Sequence, residues 1–421
     1  VIQRHAIETV RTALADTPVV VVQGARQVGK STLLEQLVAG GFKGRLRTLD
    51  DEATLRAALD DPVSFIHGLG EHAVIDEVQR APTLFRAIKR SVDRDRRPGR
   101  FLLSGSANIL QVPQLADSLA GRVEIVTLWP LSQGELHGQR DGFVDAVFAT
   151  RLATVAPSSL SRTALAALAV RGGYPEAVQR TDQRQRDRWF RNYLTTTLER
   201  DVKVFTDIED LDRMHSLLRI VGERTATILN YAGLASDTGI PETTVKRYLR
   251  TLQAMFITRS LPPWSRTHGR RETRAPKIHV VDPGLAAHLM GIDLATVGDD
   301  GRLRGRLFEG FVVTELLRQI SWARLDATPY HYRTSRGIEV DLVLEARGGR
   351  AVAIDVKAGA TVERRDVAGL EAFATAAGAR FVRGIVLYAG EEPVQFGPKI
   401  WALPIEALWT LGATAVRKPA R

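Results

Sequence analysis

The chain of 421 residues has no cysteine, which excludes disulfides, thiolate zinc sites and thiol nucleophiles together. Long apolar runs are also missing. The stretch VVVV at Val19 to Val22 is among the longest, far below the roughly 20 residues needed to span a bilayer. The opening VIQRHAIETVRTAL is amphipathic with charges throughout and does not resemble a signal peptide. From these absences the expectation is a soluble cytoplasmic protein with no membrane partner. Apolar residues make up 44% and charged residues 25%, ordinary for a globular fold, so disorder is not expected. The length exceeds one compact core and implies two to four domains.

Acids are in deficit, with 48 Asp and Glu against 58 Lys and Arg, for a formal charge of +10. A basic balance favours polyanionic partners, nucleic acid first. Arginine-rich composition without any partner gives the same total. Only clustering along the chain separates the two.

Val19 to Gln23 reads as a buried strand that runs into Gly24, Ala25, Arg26, Gln27, Val28, Gly29, Lys30 and Ser31, then into the helical pattern STLLEQLVA, which starts with Ser31 and Thr32. Strand, GxxxxGK[ST] and helix in that order form a phosphate-binding loop. Its backbone N–H groups and helix N-terminus surround phosphate oxygens. Lys30 is expected on the β- and γ-phosphates of ATP, and Ser31 on Mg²⁺.

The short apolar strand HAVI ends in Asp76 and Glu77. Asp76 is read as the acid that holds Mg²⁺ through water, and Glu77 as the acid that polarises the attacking water. A third strand, RFLLS, ends at Ser104 before GSAN. Ser104 or Ser106 is read as sensing the γ-phosphate or holding the water, a capping serine being the other reading. The helix-like QVPQLADSLA stops at Gly121, and Arg122 opens the next strand. Arg122 is the candidate arginine finger, with Arg26 inside the loop as a weaker one; a surface arginine is the plain alternative.

Over roughly residues 1 to 131 this order of motifs resembles the AAA-type P-loop ATPases. The wording GARQVGKST, IDEVQRAP, LLSGSAN and LAGRVEIVTLWPLS resembles one bacterial and archaeal group of that class, in which the ATPase is fused to a carboxy-terminal domain of unknown function. The resemblance implies an ATPase that self-associates into an oligomer.

Residues 132–215 have mostly helical patterning and read as a lid or connector, with a glycine and proline turn at RGGYPEAV. Residues 216–290 read as a winged helix-turn-helix. A short helix, a turn at Gly239, Pro241 at a helix start and the rhythm of Val245, Leu249 and Leu252 describe it. Lys246, Arg247 and Arg250 would lie on its exposed side. Two short strands joined by a basic loop follow, where Arg266, Arg270, Arg271, Arg274 and Lys277 accompany a single acid, Glu272. Such a wing is expected to contact DNA phosphates, although helical triads also serve as scaffolds or as contacts for a protein partner.

Residues 300–421 carry the hairpin GIEVDLVLEARGGRAVAIDVKAG. A turn centred near Gly348 pairs residues whose numbers add to about 696, which sets Asp341 opposite Asp355 and Glu339 opposite Lys357. Alternation places Ile338, Val340, Leu342 and Leu344 with Val352, Ile354 and Val356 on an apolar face, and the charged residues on the other. Opposed aspartates repel and call for a cation. Mg²⁺ suits carboxylates, with Lys357 beside it to orient or activate water. An ordinary solvated hairpin is the bland alternative.

The constellation resembles the PD-(D/E)xK nuclease superfamily over roughly residues 304 to 390, with Val340 in place of the proline. That resemblance implies a restriction-endonuclease-like α/β fold, with Glu309 as a further metal ligand from the preceding helix and Glu315 as a lesser candidate. The fold class expected for the whole chain is α/β: an AAA-type ATPase, a helical and winged-helix middle, and a nuclease-like end. Metal-dependent DNA cleavage is one expectation; the alternative is a regulatory ATPase switch, of defence or toxin-antitoxin type, whose nuclease fold is inactive.

Overall fold

The computed structural model describes residues 2–106, 108, 121–205, 211–266 and 275–415. The helix Ala6–Asp16 leads into a five-stranded parallel sheet built from β1 (Val19–Gln23), β2 (Arg45–Thr48), β3 (Ala73–Asp76), β4 (Phe101–Gly105) and β5 (Val123–Thr127), in the order β2-β3-β4-β1-β5. The strand β1 has partners on both sides, β4 and β5. All five of its residues are buried, as expected of a parallel strand covered on both faces. Because β4 lies between β1 and β3, the ends of these three strands bring the phosphate loop, Ser104 and the Asp76–Glu77 pair together.

A short strand β6 (Gln139–Arg140) and several helices, among them Arg162–Arg171 and Gln183–Phe205, lead to the middle region. There the order is helix Leu211–Glu223, β7 (Thr227–Ile228), helices Tyr231–Thr238 and Glu242–Ala254, then β8 (Thr258–Leu261) and β9 (Lys277–Val280). The three strands form one antiparallel sheet in the order β7-β9-β8. Gly239 closes the second helix in a left-handed conformation, φ 66°, and Pro241 is the N-cap of the third. Both residues act where the sequence pattern placed them. Val245, Leu249 and Leu252 enter a core that continues through Met214 and Leu217 to Leu33 and Leu34 beneath the phosphate loop. The middle region and the first sheet are therefore joined by a continuous apolar core.

The last part is a mixed six-stranded sheet of β10 (Ala327–Arg333), β11 (Glu339–Ala346), β12 (Ala351–Lys357), β13 (Phe381–Tyr388), β14 (Val394–Gln395) and β15 (Ile400–Pro404), ordered β10-β11-β12-β13-β15-β14. A final strand, β16 (Thr414–Ala415), returns to pair with β6. The β11–β12 ladder runs Leu342↔Ile354, Val343↔Ala353, Leu344↔Val352 and Glu345↔Ala351, the register that the Gly348 turn predicts.

Two readings of this hairpin are corrected. The solvated second face of the bland alternative is not found, because helices cover the sheet on both sides. Leu342, Leu344, Val352 and Ile354 pack under the long helix Gly301–Ile320, while Val343, Ala351 and Ala353 pack against Leu370 and Phe373 of the helix Ala368–Ala377. Val340 also changes sides and joins the second set. The cause is a register shift in the β10–β11 ladder between Tyr330↔Val343 and Tyr332↔Val340, an irregularity that interrupts strict alternation.

Candidate functional site

The phosphate loop closes against its own neighbours. A Cβ at Gly24 would lie 2.1 Å from the Leu128 carbonyl oxygen, so no other residue fits there without moving the chain. Gly29 caps the helix Lys30–Ala39 at φ 94°, a conformation glycine adopts at little steric cost. Lys30 is buried, and its ammonium donates to the carbonyls of Gly24 and Ala25 at 3.1 and 2.9 Å. Arg26, Gln27, Gly29, Lys30, Ser31, Thr32 and Glu77 line one cleft of about 530 Å³.

Ser31 donates to Asp76 Oδ2 at 2.7 Å. Ser104 is fully buried and donates to the other oxygen of Asp76, while its hydroxyl accepts the Glu77 N–H at 3.3 Å. Ser104 thus links the two paired acids. Ser106 donates to Glu77 at 3.1 Å, and Gln79 donates both to Glu77 and, at 2.9 Å, to Ser106. Glu77 itself has a left-handed backbone, φ 57°, an uncommon setting for a non-glycine residue that is held by this cluster. The residues at the cleft suit a magnesium–nucleotide complex: a hydroxyl and a carboxylate converge for a hard cation, with an ammonium and helix N–H groups for phosphate.

Sequence reading missed the opposite wall of the cleft, formed by Pro175, Glu176, Trp189, Thr196 and Thr197. RGGYPEAV marks only Pro175 and Glu176, while Trp189, Thr196 and Thr197 come from the helix Gln183–Phe205. The RGGYPEAV turn is fixed because Gly173 N–H donates to Asp282 at 2.7 Å and Leu131 N–H donates to the Gly173 carbonyl at 2.7 Å.

Arg4 was missed as well. Buried behind the loop, it donates to the Val28 and Trp129 carbonyls, each at 2.6 Å, and pairs with Glu135 at 3.0 Å. From Glu135 a buried polar chain runs outward through the Ser132 capping box. Glu315 accepts the Gln133 N–H at 3.1 Å and pairs with Arg318, which in turn lies 3.2 Å from Asp282. Burial pushes Glu315 up to about 7 despite Arg318. Glu315 therefore faces the ATPase junction and not the hairpin acids.

Arg122 lies at the other end of the sheet from its own phosphate loop. Its carbonyl accepts the Val19 N–H, and its side chain bonds Asp93 at 2.6 Å. One five-residue strand, about 16 Å, separates it from the loop after Gln23. In the middle region Arg247, Arg250 and Arg266 are exposed. Lys246 is half-buried, paired with Glu242 at 2.6 Å and set over the Tyr231 ring. Arg270, Arg271, Arg274 and the helix-like QVPQLADSLA lie outside the described residues.

Lys277 corrects the reading of the basic wing. It is 2% exposed, and its ammonium lies 2.5 Å from Glu309, 2.7 Å from Glu339 and 3.0 Å from Asp341. The cation that the hairpin acids call for is thus an internal lysine. Among the described residues no group of three or more His, Cys, Asp or Glu side chains is arranged to hold a metal ion, and Glu309, Asp341 and Asp355 do not form the single ligand set expected of them. Glu309 and Asp341 turn to Lys277, while Asp355 pairs with Lys357 at 2.6 Å and shares a side-chain hydrogen bond with Asp341. Glu339, expected opposite Lys357, instead joins Lys277 and lies 3.8 Å from Arg333. Asp341 also accepts the Val356 N–H at 2.9 Å, so a side chain continues the ladder where the backbone pairing stops.

The electrostatics follow from burial of unequal charge. Burial and then Asp341 push Glu309 well above the usual carboxylate range. Burial and Asp341 together raise Asp355 to about 8, against the pull of Lys357. Burial works against the charge on Lys277, yet Asp341, Glu309 and Glu339 keep it protonated.

Fold and site together define an AAA-type P-loop ATPase domain at the amino-terminal end, and residues 16–137 match the family model described as AAA domain. Residues 162–296 and 304–408 match two models, each described as a domain of unknown function (DUF8612 and DUF4143). The uncharacterized proteins Mb2031c of Mycobacterium bovis and Rv2008c of Mycobacterium tuberculosis are each 32% identical over 415 residues, covering 98% of this chain and 85% of theirs. The chain belongs to the family of these mycobacterial proteins. The Walker-type ATPase paby2304 of Pyrococcus abyssi is similar in structure at a TM-score of 0.42 and 15% identity, over 69% of this chain and 96% of that one. Among the described residues no helix is long and apolar enough to cross a membrane.

Proposed function

We propose that the chain is a cytoplasmic, Mg²⁺-dependent ATPase that works as an oligomer and couples hydrolysis to DNA engagement by its middle and carboxy-terminal parts. The observation that carries the ATPase reading is the joined cluster of Ser31, Asp76 and Ser104 with Glu77, Gln79 and Ser106 at the mouth of the phosphate-loop cleft. Lys30 and the loop N–H groups would hold the phosphates, Ser31 and Asp76 would hold Mg²⁺, and bound ATP supplies the phosphoanhydride to be cleaved. Glu77, fixed by Gln79 and Ser106, orients and deprotonates water. Ser104 keeps Asp76 aimed at Ser31.

DNA engagement is supported by the helix, strand, helix, helix, strand, strand order of the middle region, which is that of a winged helix, with Arg247, Arg250 and Arg266 exposed on it. Phosphate release measured with and without DNA over a salt series tests both halves. ATPase activity that DNA leaves unchanged, with no salt-sensitive binding, would overturn the DNA half and favour an acidic protein partner.

A second reading concerns the carboxy-terminal sheet: metal-dependent phosphodiester cleavage at Asp341, Asp355 and Lys357. It is favoured by the Asp355–Lys357 pair beside Asp341 on a central hairpin, and opposed by Lys277 among the acids. Incubation with supercoiled, linear and single-stranded DNA in Mn²⁺, beside Asp355→Asn, separates a cutter from an inactive nuclease fold. Cleavage abolished in the variant supports the first; no cleavage with any substrate supports the second.

A further inference from the structure

Three carboxylates from two elements meet one ammonium from a third. Glu309 comes from the helix Gly301–Ile320, Glu339 and Asp341 come from β11, and Lys277 comes from β9 of the middle sheet. Distances of 2.5 to 3.0 Å satisfy the three donors of an ammonium. They do so with one positive charge where three acids converge.

Burying such a group costs desolvation that an apolar residue at the same place would avoid. Ile278 and Val280 on the same strand are apolar and buried. A second feature stands beside the cluster. His279 follows Lys277 by two residues along β9, is wholly buried, and among the described residues has no hydrogen-bond partner on either ring nitrogen. It lies within electrostatic reach of both Lys277 and Asp341. A buried imidazole without a partner is uncommon, and imidazole together with carboxylates is a donor set for a divalent transition metal.

We propose that Lys277 is a built-in, displaceable counterion of a divalent-cation site formed by Glu309 and Asp341, so that its ammonium and a metal ion exclude each other. This rests on reading the carboxy-terminal acids as a metal site, and it assigns their regulation to the middle region. Docking of β8 and β9 delivers the lysine. Polar bonds at that edge include Trp264 donating to Glu345 at 2.6 Å through its ring and to the His331 carbonyl at 2.6 Å through its backbone, and His331 N–H donating to the Pro262 carbonyl at 3.0 Å. Movement of this pair of strands would open the acids to a cation, which makes the docked arrangement autoinhibitory.

Mn²⁺ binding to the nucleotide-free full chain tests this, with wild type, Lys277→Met, Asp341→Asn and the double variant compared and folding checked by circular dichroism. Lys277→Met is expected to bind Mn²⁺ about tenfold or more tightly than wild type, and the double variant to lose that gain. Equal Mn²⁺ binding by wild type and Lys277→Met, abolished by Asp341→Asn, would overturn the counterion while leaving the metal reading intact. Absence of any Asp341-dependent binding would overturn both. Should Lys277→Met fail to fold, the modification rate of Lys277 by an amine reagent in wild type, read by peptide mass spectrometry, replaces it. Mn²⁺ is expected to raise that rate, and an unchanged rate overturns the proposal.

Discussion

At the scale of single residues the phosphate loop separates binding from hydrolysis. Lys30→Ala removes the phosphate ammonium, so binding of a fluorescent ATP analogue should disappear together with phosphate release. Glu77→Gln keeps the shape of the cleft, so the analogue should still bind while release falls about 10²- to 10⁴-fold. Arg4→Met should act differently, because it leaves Glu135 buried without its partner. A destabilisation of about 3–5 kcal/mol in denaturant unfolding is expected. The motif residues were legible in the sequence because a strand followed by GxxxxGKS admits few other structures. Arg4 was not legible. Its partners are a carboxylate 131 positions away and backbone carbonyls, which no local pattern announces.

At the scale of elements the β11–β12 hairpin shows how far alternation carries. The turn at Gly348 and Gly349 set the register, and the paired residues follow it. Alternation then failed at Val340, because an irregularity in the neighbouring ladder depends on β10. The strand β9 read as a basic wing strand for a similar reason: a lysine after a run of arginines has no local sign of burial.

Burial on β9 and β10 has a consequence in acid. Desolvation and then Lys277 hold His279 down at about 3 and His331 at about 4. A histidine whose folded pKa is depressed binds fewer protons folded than unfolded, so it destabilises as pH falls below the unfolded value near 6.5. Stability should therefore decline between about pH 6.5 and 4 from these two groups, and His331→Gln should flatten that part of a melting-temperature profile. On the helix Glu242–Ala254, Arg247→Glu with Arg250→Glu should weaken DNA binding. The slope of log affinity against log salt should become shallower by about 0.9 for each phosphate no longer neutralised, as measured by fluorescence anisotropy.

At the scale of the whole molecule the distance between Arg122 and its own phosphate loop decides what it can do. It cannot serve the loop that follows β1 in its own chain, so a finger role requires a neighbouring copy. Arg122→Ala should depress ATPase activity, and mixing it with inactive Lys30→Ala should restore part of it, because each variant supplies what the other lacks. Failure to complement, measured by phosphate release across mixing ratios, would confine Arg122 to a structural role beside Asp93. The helix Gly301–Ile320 joins two buried polar systems, with Glu315 on the chain that ends at Arg4 and Glu309 on Lys277.

What the sequence determined by itself was local: the phosphate loop, the paired acids at a strand end, the helix turn at Gly239 and the hairpin register. Each is set by backbone sterics and side-chain period over a few residues. What only the tertiary structure decided was pairing between distant charges. Lys277 meets Glu309, Glu339 and Asp341 because β9 docks on another sheet, and Arg4 meets the loop because the amino-terminal segment folds beneath it. The energy of a buried ion pair depends on where the chain brings its partners, and that position is fixed by packing rather than by spacing along the chain.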